Sequence, residues 1–109
     1  MRIIWKQSAL QSLIKLDVWR EENGWPGIAE HLVEIIELYF YKQDVSVFLP
    51  GRGVSVKGMP VNMRMTLIRP GKSDPYKVFY RYNQDAIEIF LIRHPYQKVP
   101  WVFFLLILF

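Results

Sequence analysis

The 109-residue chain has no cysteine. That excludes a disulfide framework, a thiol nucleophile and any cysteine-ligated metal, and it is compatible with the reducing cytoplasm. Histidine is almost as scarce. His31 and His94 are the two present, and neither stands with acidic residues at metal-ligand spacing, so no metal and no cofactor is expected. No glycine-rich turn follows a strand and opens a helix, which leaves nucleotide binding unsupported. The serines at 8, 12, 46, 55 and 73 lack the strand–turn–helix elbow that nucleophilic catalysis needs. Long apolar runs are missing too: Trp101–Phe109 is apolar throughout but about half of the roughly 20 residues that span a bilayer as a helix. The opening Met1–Trp5 is followed by a polar segment, unlike a secretory leader. A cytoplasmic protein without a membrane span is expected.

What the chain does have is apolar bulk and positive charge. Apolar residues make up 51% and aromatics 16%, enough for the core of one domain. Lys and Arg number 14 against 10 Asp and Glu, a net charge of +4. A cationic surplus on a small domain favours an acidic partner, either nucleic acid or an acidic protein.

Met1–Trp5, with adjacent isoleucines, predicts a strand. Gln7 or Ser8 then caps a helix whose apolar residues are Ala9, Leu10, Leu13, Ile14 and Leu16, with Gln11, Lys15 and Glu22 on the wet side. Asn23-Gly24 ends it. Pro26 suits the first turn of a second helix, in which Ile28, Ala29, Leu32, Val33, Ile36, Tyr39 and Phe40 recur at three and four. Between Gln43 and Pro60 the periodicity dissolves. Val45–Val47 reads as a brief extended piece, and Pro50-Gly51-Arg52-Gly53 and Lys57-Gly58-Met59-Pro60 read as basic loops. Three strands follow: Val61–Arg69, Tyr76–Tyr82 and Ala86–His94. The last is the most apolar and is expected inside the sheet. The expected fold class is α+β in the order β-α-α-β-β-β, a helical hairpin packed on one face of a mainly antiparallel twisted sheet.

Several segments in that order resemble the RelE/ParE superfamily of type II toxins. Ile4-Trp5 followed by Ala9–Leu13 is similar to the family's opening strand and helix. Leu49-Pro50-Gly51-Arg52 is similar to its Gly-Arg loop, and Met63–Leu67 to its Arg-bearing strand. Val78-Phe79-Tyr80-Arg81-Tyr82 is similar to its Tyr-Arg strand, and Ile87–His94 to its closing strand. The likeness covers residues 1–100 as a toxin domain and leaves 101–109 as an apolar C-terminal tail outside the family pattern. It implies a toxin neutralised by a cognate acidic antitoxin. One branch inhibits DNA gyrase by protein contact; the other cleaves messenger RNA on the ribosome by metal-free 2′-OH attack. A member of the fold that has lost its activity is a further alternative.

In the nuclease reading the catalytic residues are Arg64, Arg81, His94 and Tyr96. Arginine forks hold a phosphate and stabilise developing charge, and a histidine moves protons near neutrality. Arg52, Lys57 and Lys77 are the phosphate-binding candidates. The bland alternatives are solvated strand arginines and a structural histidine at a strand end. If the helices cover the face of Val61, Met63 and Met65 together with Tyr76, Val78 and Tyr80, then Arg64 and Arg81 share the open face. The second lysine expected of RelE-like nucleases is missing, and Arg93-His94…Pro100 is closer to the ParE-like ending, so the gyrase branch is favoured. His31, beside glutamates, reads as a surface residue. The apolar tail must be covered, and a homodimer through it is one way.

Overall fold

The computed structural model describes residues 1–95 of the chain. Tyr96 and the 101–109 tail, with the homodimer expected of it, therefore lie outside the described residues. Within them the order is β1 (Arg2–Trp5), α1 (Gln7–Glu22), α2 (Ala29–Tyr41), β2 (Arg52–Val54), β3 (Met63–Ile68), β4 (Tyr76–Asn83) and β5 (Ala86–Arg93). The strands form one sheet in the order β1-β5-β4-β3-β2. The β1–β5 pair is parallel and the others are antiparallel. The fold is α+β, two helices on one face of a mostly antiparallel sheet, and β5 lies inside it.

Several local expectations change. Val45–Val47 is a turn, and Arg52–Val54, read as loop, is a short edge strand on β3. The second helix begins at Ala29, three residues after Pro26. Its first N–H groups are capped from α1: Asp17 Oδ1 accepts from Ile28 N at 2.7 Å and Ala29 N at 3.0 Å. A carboxylate there satisfies orphan donors and complements the helix dipole. At α1 the N-cap is Lys6, with no side-chain cap; Ser8 instead donates to the Phe90 carbonyl.

The two apolar faces of α1 are separated by packing. Ala9, Leu13 and Leu16 are buried against the sheet, but Leu10 and Ile14, expected on the same side, are exposed, Ile14 at 66%. They form an outward row with Val18 at four-residue spacing. Ser12 explains why a polar residue takes the inner face. Its hydroxyl donates to Ala9 O and accepts from Ile92 N, tying α1 to β5.

The core under the helices gathers Leu32, Ile36 and Phe40 of α2 and Tyr76, Val78 and Tyr80 of β4 with Ile87, Ile89 and Ile92 of β5. Each fully buried side chain of this size removes enough apolar surface to contribute about 1.5–3 kcal/mol. A second, smaller apolar cluster lies on the other face of the sheet: Val56, Met63, Met65, Phe79, Phe90 and Leu91, with Val54 and Met59 against it. Met65, Phe79 and Leu91 meet there in register, and a register shift in the β4–β5 ladder adds Phe90, unpaired between Ile89 and Leu91. The bulge puts two consecutive residues on the same face. The β4–β5 turn is tight, with Gln84 at φ 50° and Asp85 at φ 60°, the two left-handed residues of a type I′ hairpin.

Candidate functional site

Cross-strand partners share a face, so the register sorts the candidate residues. Arg64 lies opposite Tyr80 and Thr66 opposite Val78, and Tyr80 and Val78 belong to the core beneath the helices. Arg64 therefore points to the helical side, contrary to the expectation that it shares the open face with Arg81. The methionines that were expected under the helices, Met63 and Met65, are on the far side. Alternation alone could not decide this, because β3 has an apolar cluster on each side. Met63 and Met65 enter the outer cluster, while Thr66 meets Tyr39 across the helix interface, hydroxyl to hydroxyl at 2.9 Å.

Arg64 is also occupied. Its Nη2 donates to Gly51 O at 2.8 Å and Leu49 O at 3.3 Å, and its Nε reaches Pro50 O at 3.5 Å. The Tyr80 hydroxyl donates to the same Pro50 carbonyl. Burial pushes that hydroxyl up to about 12, against the lowering effect of Arg64. The guanidinium thus clips the 49–51 loop onto the sheet. Lysine keeps the charge but lacks the planar fork. Arg64→Lys should lower stability by about 1–3 kcal/mol, read as a reduced urea midpoint with an unchanged m-value. A phosphate-binding Arg64 would instead leave the midpoint alone.

Arg81 and Lys77 do occupy the open face, alternating with Val78 and Tyr80 along β4. Register places Arg93 opposite Lys77, Arg52 opposite Met65 and Arg2 opposite Ala86 on that same side. One carboxylate stands among them. Glu88, the register partner of Arg81, is 7% exposed. Arg81 binds it through Nε and Nη2, both at 2.8 Å, and Lys6 Nζ approaches at 3.5 Å. Burial raises the Glu88 carboxyl, but the hydrogen bonds and charges of Arg81 and Lys6 outweigh it and hold the group below its usual range. Arg81 and Lys6 also flank the Phe90 ring at 5.8 and 5.7 Å. Arg93 Nε is buried without a hydrogen-bond partner among the described residues. Lys57 is exposed in the turn before β3.

No protein-family model, no curated protein and no solved structure matches the chain. The functional reading therefore rests on the residues. Among the described residues no group of acidic residues and histidines could hold a metal ion, and no helix is long and apolar enough to cross a membrane.

His94 is far from both arginines' surroundings. It follows the Arg93–Lys77 pair at the Tyr76 end of β4, whereas Arg64 pairs with Tyr80. Four residues of strand separate those positions, about 13 Å. The ring is 7% exposed and packed among Trp19 at 4.8 Å, Tyr76 at 5.3 Å and Trp25 at 6.1 Å. Burial and then the Arg20 charge lower its pKa, with Asp74 opposing. A histidine whose folded pKa is depressed contributes stability that is fully present above its unfolded pKa and is lost as pH falls from there through the lower folded pKa. Urea midpoints should therefore fall between pH 7.5 and 5.5, and the fall should be smaller in His94→Gln.

The residues that sequence reading missed are Arg2, Lys6, Glu88, Phe90 and Arg93. Glu88 carried a usable signal, a lone carboxylate within the most apolar strand, since buried charge needs a partner.

Proposed function

We propose that this protein is the toxin of a type II toxin–antitoxin pair, that it acts by protein contact on DNA gyrase in the ParE-like manner, and that an acidic antitoxin silences it. The observation that carries the reading is the open sheet face. Arg2, Arg52, Lys77, Arg81 and Arg93 share it, with the buried Glu88 paired to Arg81 and Lys6 among them. Such a face attracts an acidic protein surface and supplies aromatic and aliphatic contact beneath the charges. The sequence resemblance supplies the toxin class. The ribonuclease alternative, with a ribosome-bound messenger as target, needs Arg64, Arg81 and His94 at one phosphate. Their division between two faces and two ends of β4 weighs against it.

The test is controlled expression of the full chain in bacterial cells, with growth, plasmid supercoiling and translation followed together. The expected result is growth arrest with relaxed plasmid while translation continues at first. Blocked translation with normal supercoiling would replace this reading with the nuclease, and normal growth would leave an inactive member of the fold. Reversing charge at Arg2 and Lys77 together, which leaves the Arg81–Glu88 pair in place, should abolish the arrest while the isolated protein still unfolds cooperatively.

A further inference from the structure

A cleft of about 380 Å³ lies away from the basic face, where the end of α1, the α1–α2 connection, the β3–β4 turn and the end of β5 converge; its lining includes Arg20, Trp25, Ile28, Asp74, Tyr76 and His94. That volume is near the lower end for small-molecule sites. Its walls are aromatic, and its cation is fixed in place. Arg20 Nε donates to Pro26 O at 2.8 Å, its Nη1 donates to the Tyr76 hydroxyl at 3.1 Å, and the guanidinium lies 5.6 Å from the centre of the Trp25 ring. Trp25 itself is 44% exposed, held edge-on by Trp19 at 5.5 Å. An exposed tryptophan anchored by two rings and one guanidinium is costly as mere surface, and it is already ordered for contact with a flat partner.

We propose that this cleft binds a small aromatic carboxylate, its ring against Trp25 and Ile28 and its carboxylate on the Arg20 fork. The inference does not depend on the toxin reading. A guanidinium matches a planar carboxylate in geometry, and one already anchored loses little freedom on binding. Asp74 at the rim sets the charge: it tolerates a monoanion beside Arg20 and disfavours a multiply charged phosphate ester. The volume holds a bicyclic ring with a short side chain.

The experiment is calorimetric titration of the full chain at pH 7.5 with indole-3-acetate, tryptamine and inorganic phosphate. Indole-3-acetate should saturate with a Kd on the order of 1 mM or below, the range set by its small size. Tryptamine, with the same ring and the opposite charge, should bind at least about tenfold more weakly, and phosphate should not compete. Arg20→Gln should weaken indole-3-acetate by about tenfold or more, and Lys57→Gln, exposed and outside the cleft, should change nothing. Should Arg20→Gln fail to unfold cooperatively, Trp25→Leu decides, with the same loss expected. No saturable binding by the folded chain overturns the proposal. So does tryptamine binding equally well, competition by phosphate, or full affinity in whichever variant folds.

Discussion

Gly51→Ala should unfold most of the protein or cost at least about 3 kcal/mol, the scale of a backbone clash at a special conformation. Gly51 sits at φ +81°, and a Cβ there would lie 2.0 Å from the Met65 carbonyl oxygen and 2.7 Å from its carbon. Those atoms are backbone in the ladder between β2 and β3, so they cannot rotate away as a side chain would. Relieving the contact means moving the 49–51 loop off the sheet. That breaks the Arg64 hydrogen bonds to Leu49 and Gly51 and the Tyr80 bond to Pro50 together. For a domain of this size, stability as a whole is only about 5–15 kcal/mol. A thermal melt followed by circular dichroism should therefore show a midpoint at least about 12 °C lower, taking roughly 4 °C per kcal/mol. Gly24→Ala is the matched comparison. That glycine is also left-handed, at φ +78°, but nothing lies within 4 Å of its added Cβ, so the loss there should be about 1 kcal/mol. Equal losses at the two positions would show that the close approach to Met65 is not what makes Gly51 necessary.

Phe40→Ala should cost about 3–5 kcal/mol, the usual range for deleting a buried phenyl ring. Phe40 is fully buried near the end of α2. Its ring meets Tyr80 at 4.8 Å and Tyr39 at 5.3 Å, both steeply inclined. Edge-to-face geometry adds a specific term to the area buried. Removing it opens a cavity between the helical layer and the middle of β4, the strand that also holds the loop clip through Tyr80. Phe40→Leu fills part of that space and should cost less than half as much. The comparison is an equilibrium urea titration with both variants, and a Phe40→Ala midpoint near that of the parent would mean that this part of the core is not closely packed.

The open face and the loop clip have different consequences for function. Gly51 and Arg64 change stability, so their variants would reduce a growth effect by reducing the amount of folded protein. Arg2, which is exposed, and Lys77, which is half-buried, lie on the sheet face away from the helices, so their variants test contact itself. The carboxylate of Glu88 is the exception, because it is both buried and charged. Its neutralisation would leave Arg81 and Lys6 without their common counterion.

Much of the architecture was legible because short-range patterns forced it. Apolar residues at three and four in Ala29–Tyr41 could bury a face only as a helix. The alternating Tyr76–Tyr82 stretch could only be a half-covered strand, and Asn83-Gln84-Asp85 left room for nothing but a tight turn. Those segments in chain order dictated an α+β layer structure, and the scarcity of histidine and acid clusters removed metal-ion chemistry from the reading. The side on which Arg64 lies was a different kind of question. Both alternating sets of β3 contain groups that can be buried, Met63 and Met65 in one, Thr66 and Ile68 in the other, so periodicity had no sign. The bulge at Phe90, the outer cluster with Val56 and Met59, and the Tyr39 hydroxyl waiting for Thr66 all come from elsewhere in the chain. Local sequence fixes how residues alternate; only the assembled layers fix which of two alternating sets meets water, because that depends on what remote segments bring to each side.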